Sequence, residues 1–297
     1  MDLATFLIQC LNAVQYGLLL FLVASGLTLI FGIMGVINLA HGSFYMIGAY
    51  LAFALAPAVQ RATGLDPAAG FFVTLLVGIA LAVVFGYLLE WLFISYLYER
   101  EHLQQVLMTY GLILVFEELR SILVGDDVHG VPAPSWLAGS LPLGDVMTYP
   151  VYRLFISAVC LVVAALMFVV ITRTRLGMRI RAGASDREMV QAMGVDIRFL
   201  YRLVFAAGVA LAALAGMIAA PVSSVYPGMG GQVLIVCFVV VVIGGIGSIR
   251  GAFLAAMLVA AVDTFGKVLF PQAAGVAIYL LMAAILLWKP EGLFKTG

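Results

Sequence analysis

Four uncharged polar side chains are clustered in the stretch 26–50, between glycines that interrupt an apolar run. They are Asn38, His41, Ser43 and Tyr45. Amide, imidazole and hydroxyl groups need hydrogen-bond partners when they are buried, and glycine weakens a helix. In a bilayer, irregular backbone is tolerated only where protein or a water-filled cavity surrounds it. The pattern therefore predicts a helix break beside a polar path. A plain loop between two tightly packed helices is the alternative.

The composition of the chain is typical of a protein embedded in lipid. Of its 297 residues, 65% are hydrophobic and 10% are charged, and the mean hydropathy is +1.17. Soluble domains carry roughly 25% charged residues. The sequence therefore predicts an all-α polytopic membrane protein, in which residues 1–297 form a single transmembrane domain without room for a soluble catalytic domain. Cys10, Cys160 and Cys237 lie far apart in apolar segments, which indicates packing rather than metal binding or a disulfide.

Apolar runs of about 20 residues predict eight full membrane spans. A shorter apolar run follows the sixth span and predicts a short or re-entrant segment. The eight spans cover approximately 5–31, 39–59, 69–94, 106–124, 151–171, 203–222, 252–270 and 274–288, and the short run covers 233–243.

Glycines recur on both sides of the polar cluster and again after the short run. Gly35 and Gly42 flank the cluster, and a second glycine-rich break contains Gly245 and Gly247. Each break joins one apolar run to another, which predicts a weak internal repeat; coincidence in a glycine-rich chain is the alternative. Duplicated broken segments tend to flank the central site of a transporter. We therefore expect these four glycines to act as hinges.

Basic residues are concentrated in one segment of the chain. Seven of the fifteen Lys and Arg residues lie within 173–202, and the positive-inside rule places such a segment in the cytoplasm. The loop 125–150 has three aspartates and no Lys or Arg, so we expect it on the opposite side. Lys289 and Lys295 place the C-terminal end in the cytoplasm. Counting crossings backwards puts the N-terminus outside, and one re-entrant segment would reverse that.

A short capped helix is predicted inside this arginine-rich segment. Ser185 followed by Glu188 forms a capping-box pattern, and Gly194 is a common kind of helix end. Held outside the bilayer, the helix would dock onto another protein through Ala192 and Met193. A solvated basic loop held by anionic lipid headgroups is the alternative. The predicted docking residues are Ser185, Asp186, Arg187, Glu188, Ala192, Met193 and Gly194.

Two ionisable residues lie within a predicted span. Asp263 and Lys267 are four residues apart and therefore share one helix face. Ionisable residues inside a membrane are functional by default, but opposite charges at this spacing favour a structural ion pair. The sequence shows no metal-ligand spacing, no nucleophile–base set within the spans and no Walker-type glycine loop. It therefore predicts that the chain is not an enzyme and that any energy source lies on another chain.

Three motifs resemble one family of transport proteins. The stretch GIMGVINLAHGSFYMIGAY is similar to the signature of the branched-chain amino acid permease family of LivH type. VYPGMGG followed by VVIGGIGSIRGAF is similar to the C-terminal half of that family, and RAGASDREMVQAMGVD resembles the coupling loop of ATP-binding-cassette (ABC) importer permeases. On these motifs the chain is identified as a member of the family over almost its whole length.

The resemblance implies a permease without a catalytic site and without a cofactor of its own, because partner ATPase subunits bind the ATP. It also implies a second homologous permease, two cytoplasmic ATPase subunits and a periplasmic substrate-binding protein. Membrane lipid surrounds such a chain in the cell inner membrane, and no nucleic acid is expected as a partner. The segment 173–202 would be the coupling loop.

The sequence also departs from the family pattern. Ser43 stands where many members have Glu, Val236 where many have Lys, and Arg250 where many have Pro. The expected cargo is therefore a branched-chain amino acid or a related small organic acid or amide, with urea and aromatic acids as alternatives. A secondary transporter driven by an ion gradient, with Asp263 as its coupling residue, is the alternative function.

Overall fold

The chain is a bundle of α-helices with one small hairpin. The computed structural model describes residues 3–98, 100–142 and 148–294, and within them it contains eleven α-helices. This confirms the all-α prediction. The helices are α1 (Leu3–Met34), α2 (His41–Thr63), α3 (Pro67–Leu92), α4 (His102–Val124), α5 (Val151–Arg173), α6 (Arg175–Ser185), α7 (Arg187–Ala192), α8 (Ile197–Ser223), α9 (Met229–Gly244), α10 (Ile249–Leu269) and α11 (Ala274–Trp288). Strands β1 (Ser140–Pro142) and β2 (Thr148–Pro150) pair antiparallel.

Six helices of the described chain are long and apolar enough to cross a membrane: α1, α2, α3, α5, α8 and α10. The sequence predicted eight full spans. The other two predicted spans correspond to α4, whose apolar run contains Glu117, Glu118 and Arg120, and to α11, which has 15 residues. The predicted short segment is present as α9, whose 16 residues extend about 24 Å, less than the roughly 30 Å of a hydrocarbon core.

Helices α1 and α8 form the centre of the bundle. The most apolar part of α1 is 83% buried and that of α8 is 78% buried, whereas the value for α5 is 11%. Small residues permit close contact between these helices. Gly26 of α1 lies against Gly208 of α8, and a Cβ at Gly48 of α2 would overlap the backbone of Ala213. Close approach of backbones at small residues is what holds helices together in lipid.

The two ends of the bundle are identified by the segments they carry. We call the end with the arginine-rich segment 173–202 the inner end and the end with the loop 125–150 the outer end; α5 joins them. Arg153, at the start of α5, donates a hydrogen bond from Nη1 to Oδ1 of Asn12 (2.7 Å). The beginning of α1 therefore lies at the outer end, as counting crossings predicted. Lys295 lies outside the described residues.

Arg120, near the outer end of α4, holds the start of the outer loop. Its guanidinium donates hydrogen bonds to Glu117 (3.2 Å), to the carbonyl oxygen of Gly125 (2.6 Å) and to Asp126 (3.0 Å). The hydrogen bond from Arg120 favours the charged form of the exposed Asp126 carboxyl and so lowers its pKa below the usual range. The loop therefore begins from a fixed position on α4.

Candidate functional site

Two breaks in the helices meet inside the bundle. The first break (35–40) turns at Gly35, which has a φ of +65°, and leads from α1 into α2. The second break (224–228) leads from α8 into α9. Helices α2 and α9 begin side by side, because Gly42 and Gly230 are in direct backbone contact. A Cβ on either glycine would overlap the carbonyl oxygen of the other.

The first break lies deep in the bundle rather than at its surface. His41, the first residue of α2, is fully buried, and its Nε2 lies 3.0 Å from the carbonyl oxygen of Val23. Because a carbonyl oxygen can only accept, Nε2 carries the proton of this imidazole. Val23 lies roughly 16 Å along α1 from Met34, at a rise of 1.5 Å per residue. The start of α2 is therefore at an intermediate depth between the two ends.

Hydrogen bonds from side chains satisfy the irregular backbone of the first break. Asn38 is fully buried, and its Oδ1 accepts a hydrogen bond from the backbone of Ala40 (3.0 Å). The backbone N–H of Ile37 donates to Oε1 of Gln105 on α4 (3.3 Å), and Thr109 Oγ1 donates to the Ile37 carbonyl (3.4 Å). Buried backbone groups need such partners. The conformation of the break is therefore stabilised by specific hydrogen bonds, two of which come from α4.

A polar cavity of about 680 Å³ opens at the outer end, next to the point where the breaks meet. Its walls are formed by seven helices: α1, α2, α5, α8, α9, α10 and α11. Of the four polar residues predicted to line a path, Tyr45 borders this cavity, whereas Asn38, His41 and Ser43 are buried and do not line it. The polar lining residues are Gln9, Asn12, Gln15, Tyr16, Tyr45, Arg153, Ser223, Tyr226, Gln232, Asp263, Thr264 and Lys267.

Charges of both signs line the outer cavity. Lys267 Nζ lies 2.5 Å from Asp263 Oδ2, which confirms the predicted ion pair, and it also lies over the ring of Tyr16 (5.9 Å to the centroid). Arg153 lines another wall, held by its hydrogen bond to Asn12. Seven of the twelve polar lining residues lie on α1 or α10, and the other five lie in segments between them. Because these segments are far apart along the chain, no local sequence pattern predicts that they come together.

The glycines of the C-terminal break lie away from this cavity. Gly245 (φ +95°) and Gly247 (φ +82°) form the turn between α9 and α10 at the inner end, where Gly247 touches Gly32 of α1. The predicted repeat paired this turn with the first break. The break that contacts α2 instead follows α8. The hinge role of Gly35, Gly42, Gly245 and Gly247 stays a prediction.

The arginine-rich segment folds as two short helices, α6 and α7, before it enters α8. The predicted cap was Ser185, but Ser185 is the last residue of α6, and Asp186 caps α7 by accepting a hydrogen bond from the Met189 N–H (3.0 Å). Its carboxylate reaches the third residue of the helix, as an N-cap side chain does. Gly194, with a φ of +82°, follows the helix end as predicted.

Helix α7 presents an apolar surface away from the bundle. Val190 is 5% exposed and anchors α7, whereas Met189 and Met193 are 59% and 70% exposed. The predicted docking residues Arg187, Glu188 and Ala192 are also exposed, as are Ser185, Asp186 and Gly194. Met189, which is part of this surface, and Val190, which anchors it, were not predicted from the sequence. The sequence signal for both was the pair of adjacent apolar residues within one turn of the short helix.

The helix breaks and the cavity beside them define the class of protein. Helices that are broken inside the bundle beside a polar cavity are those of a multi-pass membrane transport protein rather than of an enzyme. No group of His, Cys, Asp or Glu able to hold a metal is found in the described residues. Residues 9–287 match the family described as branched-chain amino acid transport system / permease component, and the chain belongs to this family.

Relatives with similar sequences extend over the same length. The branched-chain amino acid permease protein BraD of Pseudomonas aeruginosa is 31% identical, with 97% of this chain and 95% of BraD covered. LivH of Escherichia coli is 29% identical, with 97% of this chain and 95% of LivH covered. A probable LivH of Methanocaldococcus jannaschii is 24% identical over 95% of this chain and 90% of that protein.

Proposed function

We propose that this chain is the transmembrane permease subunit of an ABC importer. It moves branched-chain amino acids, or related small organic acids or amides, into the cytoplasm across the cell inner membrane. The outer cavity carries the proposal. An α-amino acid bears a carboxylate and an ammonium group, and this cavity presents Arg153 and the Asp263–Lys267 pair together with hydroxyl and amide groups. Leu19, Val233 and Val236 supply apolar lining for a branched side chain.

The route from the outer cavity passes the meeting point of the two breaks. Tyr45 lies between the cavity and this meeting point, because it borders the cavity and is one helical turn from Gly42. Asn38, His41 and Ser43 come beside the route when the two breaks separate during transport. Their buried polar atoms support this proposal: the Asn38 Nδ2 and the His41 Nδ1 have no hydrogen-bond partner among the described residues. Buried polar groups without partners are uncommon and call for an explanation.

Other subunits complete the importer. We propose a second homologous permease, two cytoplasmic ATPase subunits that bind ATP, and a periplasmic substrate-binding protein that meets the outer end. The exposed apolar surface of α7 supports the ATPase contact, since Met189, Ala192 and Met193 are exposed while Val190 fixes the helix to the bundle. Methionine and alanine suit a packed contact between two rigid bodies.

The experiment is a substitution on α7 in the assembled importer. Ala192→Glu places a charge in the proposed docking surface, whereas Ala184→Glu places the same charge at an exposed position of α6 and serves as the control. Both variants should insert normally, because no span is changed. We expect Ala192→Glu to abolish uptake and the stimulation of ATP hydrolysis by loaded binding protein, and Ala184→Glu to keep both. Normal uptake and stimulation in Ala192→Glu would contradict the coupling role.

One observation favours the second candidate function, a secondary transporter driven by an ion gradient. Asp263 is 6% exposed and lies on the wall of the outer cavity, where a coupling carboxylate would lie. Its contact with Lys267 neutralises it and favours the ABC importer. Uptake into proteoliposomes separates the two functions. The importer needs internal ATP and continues when an ionophore removes the ion gradient, and a secondary transporter shows the opposite behaviour.

A further inference from the structure

A second polar pocket lies at the inner end, outside the machinery described so far. It has a volume of about 620 Å³ and lies where α3 ends and α8 begins. Three of its lining residues are arginines: Arg100, Arg198 and Arg202. The aromatic side chains of Trp91 and Tyr96 border it and are 51% and 73% exposed. Arginine together with exposed Trp and Tyr is typical of the interface between a bilayer and water.

The positive charge of this inner pocket is only partly balanced. Arg202 Nε lies 3.2 Å from Oε2 of Glu90, whose side chain is fully buried. Glu90 also accepts a hydrogen bond from the Tyr98 hydroxyl. No ion pair is formed by Arg100 or Arg198 within the part of the chain that the structure describes. Among the described residues, the guanidinium groups of Arg100 and Arg198 have no carboxylate partner, and they can bind an anion from outside the chain.

An apolar groove lies further along α3 and α8, toward the middle of the bundle. It has a volume of about 340 Å³, and α2, α3 and α8 form its walls. On α3, Leu81, Val84 and Leu88 line the groove, and Trp91 follows Leu88 by three residues and lines the pocket. Residues at these spacings share one helix face. Leu88 in the groove and Trp91 in the pocket are therefore neighbours on one face of α3.

Helix α8 also carries lining residues of both the pocket and the groove. Val209 and Ala213 line the groove, and Arg202 and Arg198 precede Val209 by seven and eleven residues, on the same face. The molecule that fits this surface has an anionic head and an apolar tail lying along α3. A soluble anion would fill the pocket and leave the groove unused.

We propose that the inner pocket and the groove form a binding site for an anionic phospholipid of the inner leaflet. The phosphate group binds among Arg100, Arg198 and Arg202, and one acyl chain lies in the groove. Guanidinium groups bind phosphate oxygens through charge-assisted hydrogen bonds, and basic pockets between helices on the cytoplasmic side bind anionic headgroups. Because Arg202 also holds Glu90, the bound lipid fixes the junction between α3 and α8.

The test measures lipid binding directly. Full-length protein in neutral detergent is supplied with phosphatidylglycerol, phosphatidylcholine or inorganic phosphate at equal concentrations. Native mass spectrometry counts the bound molecules, and thermal unfolding gives the midpoint. We expect phosphatidylglycerol to remain bound and to raise the midpoint by several degrees, and phosphatidylcholine and inorganic phosphate to do neither. An equal rise with inorganic phosphate would identify a free-anion site and overturn the lipid proposal.

Two pairs of variants locate the site. Arg100→Gln with Arg198→Gln removes the unpaired guanidinium groups while keeping the Arg202–Glu90 contact, and Arg250→Gln removes an exposed charge at the inner end of α10 as the control. Val84→Trp fills the groove, and Leu76→Trp enlarges an exposed residue elsewhere on α3. The double arginine variant and Val84→Trp should lose bound phosphatidylglycerol at least tenfold, and both controls should retain it. Unchanged binding in the arginine variant, or in its single substitutions if the double does not fold, would overturn the proposal.

Discussion

Gly42 and Gly230 touch through their backbones, one at the first turn of α2 and the other at the first turn of α9. Neither can carry a side chain without displacing the carbonyl oxygen of the other. This contact joins two chain breaks that belong to different halves of the sequence. It also lies beside the outer cavity, so a change in the distance between α2 and α9 would change the inner boundary of that cavity.

Enlarging either glycine should separate the two helices. Gly42→Ala and Gly230→Ala each place a methyl group against a backbone oxygen, and overpacking of this kind costs about 1–3 kcal/mol. Gly231→Ala is the matched control, because a Cβ at Gly231 meets no atom within 4 Å. The midpoint temperature of thermal unfolding and the rate of uptake should both fall in Gly42→Ala and Gly230→Ala. Both should remain normal in the control. Equal behaviour of all three would show that the contact is unimportant.

The four polar residues of the first break should differ in their access to water. With Cys10 replaced, a cysteine at Tyr45 should react with a water-soluble thiol reagent added from the outer side, because Tyr45 borders the outer cavity. Cysteines at Asn38, His41 or Ser43 should be protected at rest and become reactive during ATP-driven transport, when the breaks separate. Protection of these three positions in every transport state would exclude them from the route.

The Asp263–Lys267 pair should respond to double substitution. Lys267→Gln alone leaves the nearly buried Asp263 carboxylate unpaired, so the amount of folded protein should fall. Asp263→Asn alone leaves the mostly exposed Lys267 unpaired, which water can solvate, so the amount of folded protein should change less. The double variant should recover the folded protein, yet uptake should stay about tenfold lower because the cavity has lost both charges, equivalent to ~1.4 kcal/mol. Leu254→Ala, at an exposed position of α10 that does not line the cavity, is the control and should keep normal uptake. Full uptake in the double variant would limit the pair to a structural role.

The orientation of the bundle can be tested with reporters. A reporter fused near Gly139 should be active on the periplasmic side and one near Ser185 on the cytoplasmic side, because the arginine-rich segment sets the orientation. The hydrogen bond between Asn12 and Arg153 adds that a reporter before α1 should behave like the one near Gly139. Opposite signals from the first two reporters would reverse the assignment of inner and outer ends.

Much of the fold could be predicted from the sequence because lipid imposes simple rules. Apolar runs gave the positions of the long helices, and the glycines marked both the first break and the turn at Gly245. Two helix assignments failed for local reasons. The segment from Arg175 to Ser185 forms α6, which was not predicted. Its arginines indicated a charged loop, although the helix packs at the inner end. Asp186 caps α7 instead of Ser185, since Asp and Ser are both good caps and only the geometry decides between them.

The site was harder to predict, because its residues come together only in three dimensions. Tyr45 was identified from its cluster, but Asn12, Arg153 and Tyr226 lie far apart in the sequence, and only the packing of the helices brings them to one cavity. Contact between the two breaks depends on helix packing across the whole bundle. The hydrogen bonds by which Arg120 holds the start of the outer loop could not be predicted either. They include a bond to the loop backbone, which has no periodic sequence pattern.

The meeting of the two helix starts has an electrostatic consequence. The peptide dipoles of a helix give its N-terminal end a partial positive charge. Neither α2 nor α9 has a side chain that caps its start, and both starts lie next to Gly42, well inside the bundle. The two dipoles therefore add a positive potential to the interior without placing a lysine or arginine in lipid. A carboxylate that passes this point is attracted by that potential, and a metal cation is repelled by it.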